Sequence, residues 1–335
     1  MTGMPHATVS TVRPAWRVLQ GISLLATVGF LCSAWFRPQP SLTLFWGVVV
    51  PLLPLSFLVS PLLWRGVCPL ATLNQLGNRA GGGRRLPAAH SAWAGVPAIA
   101  LLFVLVPARH LVFNTRGDWL VATIVVVAVL AYALGTRFDA RAGFCNRLCP
   151  VLPVERLYGQ RPLLEVENGR CASCSVCTPR GCLDLARDRT VAQVLGPVRR
   201  RRAWVFSPFA LFATAFPGFV LGYFTVGDAT PSQALGLYAH VLGFAAASAG
   251  VLTALLWSAA ASTMRALPWL GALSAAIYYW FAVPVLLAAL GVTASGAAWT
   301  GRLVLLLVLA AWLRRAASAP AAAGRRLTVV SAGDG

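Results

Sequence analysis

The chain of 335 residues carries a formal net charge of +19, yet only 11% of its residues are charged, 58% are hydrophobic and the mean hydropathy is +0.72. A water-soluble domain holds roughly 25% charged residues, so this composition excludes one and predicts an integral membrane protein. Every one of the 28 basic residues is arginine, and their placement, described below, is that of a topology signal and not of a nucleic-acid-binding surface.

Crossing a bilayer takes about 20 consecutive apolar residues in a helix. Eight runs meet this, near 15–36, 42–64, 92–110, 118–136, 203–226, 233–260, 267–290 and 297–313, with Arg109 and Arg302 at the edges of the third and eighth. The expected fold is an all-α polytopic membrane protein. If the N-terminus is cytoplasmic, the segments on that side hold 24 of the 28 arginines, all but Arg37, Arg109, Arg116 and Arg302. The positive-inside rule then gives a bacterial inner-membrane protein with both termini cytoplasmic. The run "RRRR" at 199–202 reads as a stop against translocation. The first apolar run is too long, and "AWFRPQP" too poor a cleavage site, for a secretory signal peptide.

The sequence divides into a four-helix unit at 1–136, a polar loop at 137–202, a second four-helix unit at 203–314 and a tail at 315–335. Seven of the eight cysteines lie in the two long cytoplasmic loops, 65–91 and 137–202. Closely spaced cysteines in a reducing compartment are metal ligands more often than disulfides. Within "RCASCSVCTPRGCLD", Cys171, Cys174, Cys177 and Cys182 read C-x2-C-x2-C-x4-C. Three cysteines at successive intervals of three let one tight loop wrap three corners of an iron–sulfur cubane. Zinc takes separated C-x2-C pairs and fits this spacing poorly. The loop is therefore expected to be a ferredoxin-like [4Fe–4S] site.

The bacterial ferredoxin run ends C-x3-C-P, whereas here the last interval is one residue longer and Leu183 follows the cysteine. A Cys-Pro pair occurs upstream instead, at Cys149–Pro150, so Cys149 and Cys182 both stand as candidates for the fourth ligand. The Cys-Pro element also repeats. "RGVCPLATLNQLGNR" follows the second span and "NRLCPVLPVERLYGQR" the fourth, and aligning Cys68–Pro69 with Cys149–Pro150 brings Leu73 onto Val154 and Leu76 onto Leu157. Each is expected to open a short amphipathic helix at the inner membrane surface. The second motif adds Cys145, giving C-x3-C-P, where the first has Trp64.

Helical hairpins ending in C-x3-C-P, followed by a C-x2-C-x2-C run, resemble the membrane-bound ferredoxin subunits of the periplasmic nitrate reductase system and the related regulators of nitrous oxide reductase. The resemblance covers roughly residues 15–190. It implies electron transfer from the quinol pool, through cytoplasmic-side [4Fe–4S] clusters, to a redox partner protein. Cys68, Cys145 and whichever of Cys149 or Cys182 is spare supply three thiolates towards a second cubane, one short of a full set. The sequence leaves two other functions open, an accessory factor for metalloenzyme assembly and a transporter with a structural zinc loop. No triad, phosphate-binding loop or paired carboxylate suggests self-contained catalysis. The "AAASAG" stretch at 245–250 reads as a helix-packing surface. His110 and His240 read as interfacial hydrogen-bonding groups rather than haem ligands, with a quinone contact as the sharper alternative, and Cys32 reads as a small buried hydrophobe.

Overall fold

The computed structural model describes residues 12–81, 95–138, 143–160, 162–163, 202–294 and 296–317. Among them every regular element is a helix, and eight helices are long and apolar enough to cross a membrane. In chain order the elements are α1 (Val12–Phe36), α2 (Pro38–Val59), α3 (Pro61–Val67), α4 (Pro69–Gly81), α5 (Val96–Phe113), α6 (Gly117–Arg137), α7 (Leu152–Tyr158), α8 (Pro208–Thr225), α9 (Ala234–Ser258), α10 (Thr263–Ala289) and α11 (Ala297–Ala317). Helices α3, α4 and α7 are the non-spanning ones, and all three lie at the end of the bundle where the Cys-Pro motifs sit.

Proline sets several boundaries. Pro38, Pro61 and Pro208 each occupy the first turn of a helix, where the missing N–H leaves no bond unmade. The second apolar run was expected over 42–64, but its helix starts at Pro38 and stops at Val59. Ser60 is extended, at φ −166° and ψ 112°, because Pro61 disfavours helical backbone at the residue before it. Ser207 caps α8, its Oγ accepting from the Ala210 N–H at 3.3 Å. Wider π-helical turns interrupt α2 at Phe45–Val49 and end α5 at Arg109–Phe113.

The most deeply set span is α8, 72% buried, against 33% or less for every other span. Its Gly218 and Gly222 explain how α9 comes so close: a Cβ on Gly218 would lie 2.2 Å from the Phe244 carbonyl oxygen, and one on Gly222 would lie 2.9 Å from Phe244 Cβ. This small-xxx-small contact lets backbones approach where lipid gives no hydrophobic drive to associate. Ser248 Oγ donates to the Thr214 carbonyl at 2.7 Å, and the Thr214 and Thr253 hydroxyls meet at 3.1 Å. The "AAASAG" stretch is thus a packing face, with α8 as its partner.

A second close crossing joins α4 to α6. Cβ atoms on Gly77 and Gly135 would fall 2.3 Å from Tyr132 O and 2.2 Å from Asn74 O. Asn74 Nδ2 donates to Ala131 O at 2.8 Å and Asn78 Nδ2 to Phe138 O at 2.9 Å, so the helix after the first Cys-Pro motif is bolted to the span before the second. The helix after the second motif behaves differently from the expected surface helix. On α7, Leu152, Pro153, Val154, Glu155, Leu157 and Tyr158 are all buried. Helices α10, α2, α8 and α5 enclose it, and Gly271 of α10 brings its backbone to the Leu157 carbonyl, where a Cβ would stand 3.0 Å away. Leu76, the repeat partner of Leu157, is 40% exposed. One hydrophobic core runs from Phe57, Leu58 and Leu102 through Val154 and Leu157 to Leu267 and Trp312, so it spans both four-helix units.

Candidate metal centre

Each Cys-Pro cysteine sits where one helix or turn ends and the next helix starts. The Cys68 N–H donates to Trp64 O at 2.8 Å, closing α3, and the Cys68 carbonyl accepts from Thr72 N–H at 2.9 Å and Thr72 Oγ1 at 3.0 Å, opening α4. Trp64, which occupies the place of a first cysteine, lies edge-on to Phe57 with ring centroids 6.4 Å apart. In the second motif the buried Phe144 organises the turn. Its carbonyl accepts from the N–H groups of Arg147, Leu148 and Cys149 at 3.2, 2.8 and 3.0 Å, and the Cys149 carbonyl accepts from Leu152 N–H at 3.0 Å.

Three of the sequence-predicted thiols are brought towards one another here. Burial pushes the Cys149 thiol well above its ordinary range, and the neighbouring Cys145, Cys68 and Glu155 push it further. A neutral thiol is the stable form of the bare protein, while ligation of a metal demands the thiolate. Among the described residues no group of three or more His, Cys, Asp or Glu has metal-holding geometry, so Cys68, Cys145 and Cys149 are neighbours without being a closed ligand set. Cys171, Cys174, Cys177 and Cys182 lie outside the described residues. Their tether does not: Leu163 N–H donates to Leu58 O at 2.8 Å, beside Ser60. The chain re-enters at the same end, where Trp204 Nε1 donates to Ala261 O at 3.0 Å.

The charges around these thiols come from the same two motifs. Arg65 of α3 forms a close ion pair through Nε with Glu155 Oε1 of α7, both side chains largely buried, linking the first Cys-Pro element to the second. Arg156 follows, its Nε buried with no hydrogen-bond partner. Burial, reinforced by the nearby Arg65 charge and opposed by Glu155, pushes its guanidinium down to about 9, which leaves it cationic at neutral pH. Ser60 Oγ, Gln75 Nε2, Gln160 Oε1 and Trp312 Nε1 are likewise buried without partners. Cys68, Cys145 and Cys149 are thiol donors of the kind a cluster takes, but three of them do not make up the four ligands of a cubane.

The opposite end carries the histidines. His110 Nδ1 meets Asp228 Oδ1 at 2.7 Å, and Asn114 Nδ2 donates to the same oxygen at 2.6 Å. Arg109 Nε donates to Asn114 Oδ1 and Nη1 to Tyr223 OH, both at 2.7 Å, while its guanidinium lies 4.5 Å from the Trp46 ring centre. His240 Nε2 meets Thr225 Oγ1 at 3.0 Å. Both histidines are thus hydrogen-bonded at a helix end, as the sequence suggested. The hub role of Arg109 was missed, since in the sequence it looked like a blemish at the edge of a span. Cys32 corrects another expectation: it is exposed on α1, not buried. No known family model, curated protein or solved structure matches the chain.

Proposed function

We propose that this protein is a membrane-bound electron carrier that passes electrons between the quinone pool and a redox partner protein through one [4Fe–4S] cluster. Cys171, Cys174 and Cys177 supply three ligands in this reading and Cys149 the fourth, while Cys182 closes a more local loop in the competing arrangement. The observation that carries it is the convergence at one bundle end of both Cys-Pro motifs and both anchors of the cysteine-rich segment. The cluster, when bound, supplies a one-electron couple whose potential depends on the charge, hydrogen bonding and solvent access around it.

The chain's own residues do the rest. The Phe144 turn fixes the Cys149 backbone, α7 holds it against the membrane core, and the Arg65–Glu155 pair ties the two motifs together. Cys68 and Cys145 stand beside Cys149 and, with Cys182 as the spare cysteine of this arrangement, supply three thiolates towards a second cubane, one short of a full set. The arginine distribution supports a cytoplasmic cysteine end in a bacterial inner membrane, with the eight spans returning the C-terminus to that side. Anaerobic addition of a quinol to the purified protein tests the function. Bleaching of the cluster's visible absorption and appearance of a reduced-cubane resonance are expected; a cluster that dithionite reduces and quinol does not would sink the quinol-linked role.

A further inference from the structure

Arg302 is the sixth residue of α11, inside an apolar span and at the end of the bundle opposite the cysteines. A rise of 1.5 Å per residue sets its Cα about 8 Å below the start of that helix. Side chains on a helix tilt towards its N-terminus, so a long one here snorkels up to headgroup level. Two tryptophans frame it. Arg302 Nε donates to the Trp280 carbonyl at 2.9 Å, and the guanidinium carbon stands 4.6 Å from the Trp280 ring centre and 5.0 Å from that of Trp299. The two rings meet edge to face with centroids 5.6 Å apart, and both are exposed. Arg109, at the same end, donates to Asn114 and Tyr223, whereas the Nη nitrogens of Arg302 have no hydrogen-bond partner and no carboxylate pairs with it among the described residues. Neither α10 nor α11 contains an acidic residue.

A cation within a span calls for an anion, and the guanidinium fork matches two oxygens of a phosphate. Below Arg302 a groove between α10 and α11 continues past the apolar side chains of Leu305 and Leu306 to Leu309 and Ala276. Inorganic phosphate would use the guanidinium alone and leave that groove unexplained. A zwitterionic headgroup would bring an ammonium that no carboxylate of these two helices meets. We propose that Arg302, framed by Trp280 and Trp299, binds the phosphate of an anionic phospholipid whose acyl chain lies in the groove between α10 and α11. The inference uses none of the cysteines and stands apart from the electron-transfer reading.

The test is binding of radiolabelled phosphatidylglycerol to the immobilised full-length protein in maltoside micelles. Arg302→Gln removes the charge-assisted bonds and is expected to weaken binding by about tenfold or more. Unchanged affinity in folded Arg302→Gln overturns the proposal. Unlabelled competitors give a second reading on the wild-type protein, whether or not the variant folds. Phosphatidylglycerol is expected to displace the label several-fold more effectively than phosphatidylcholine with the same acyl chains, and equal displacement by the two overturns the proposal. Inorganic phosphate at the same concentration is expected to leave the label in place; displacement by it would show a free-anion site and overturn the lipid assignment.

Discussion

The two ends of the bundle handle buried polarity in opposite ways. At the histidine end, Arg109, His110, Asn114, Tyr223 and Asp228 satisfy one another in a closed network, and His110 Nε2 is the one buried side-chain nitrogen or oxygen left over among the described residues there. At the cysteine end, Ser60, Gln75, Arg156, Gln160 and Trp312 each hold a buried polar atom without a partner, and the Glu155 carboxylate is paired with Arg65. A closed network at the end of a bundle is what packing and interfacial anchoring require. An open one carries a desolvation cost, because buried polar atoms in native proteins are nearly always paired. The contrast is what motivates the proposal that the chemistry lies at the cysteine end.

The contrast is broken most severely by removing ligands. Serine at Cys171, Cys174 or Cys177 is expected to abolish the cluster, read as loss of iron and of the reduced resonance, and unchanged iron in Cys174→Ser would remove the basis for the assignment. Arg109→Leu attacks the other end. It strands Asn114 Oδ1 and the Tyr223 hydroxyl and uncovers the Trp46 ring, so a loss of about 2–4 kcal/mol is expected in unfolding from detergent, with iron content intact. Coupled loss of iron in that variant would show that the ends are not independent. A smaller effect belongs to the frame that carries the first motif. Asn74→Ala forfeits the 2.8 Å bond to Ala131 O and should cost about 1–2 kcal/mol, whereas an unchanged melting temperature would mean that the glycine contacts alone hold α4 to α6.

Orientation sharpens the picture without changing stability. Reporter fusions after Arg141 and after Arg315 are both expected on the cytoplasmic side, and an outer-side signal at either would overturn the arrangement drawn from the arginines.

How far the sequence could be read depended on the range of the interaction. Span number and order follow from run length, a local property, and so they were legible. The end of α2 at Val59 was also local in principle, since Pro61 forces Ser60 out of the helix, but the apolar run continues through Leu62 and Leu63 and masks it. The burial of α7 was not legible. Leu152, Val154 and Leu157 show the spacing of a surface amphipathic helix, and only the backbone approach of Gly271, more than a hundred residues away, makes the remaining face an inside one. Gly218 and Gly222 form a G-x-x-x-G pattern that could have identified α8 as the central helix. At the candidate site, the C-x2-C-x2-C spacing and the two Cys-Pro pairs were readable, whereas the meeting of Cys68 with Cys149 and of Arg65 with Glu155 depends on α3 and α7 packing at the same end of the bundle.

Iron content and electron paramagnetic resonance of reduced Cys149→Ser, measured beside Cys182→Ser, bear most directly on whether the cluster is closed at the membrane end of the bundle. Loss of the cubane in Cys149→Ser with a normal one in Cys182→Ser is the expected result. A normal cubane in Cys149→Ser, with loss in Cys182→Ser, would place the cluster in an independent loop and leave the cysteine end without the group assigned to it.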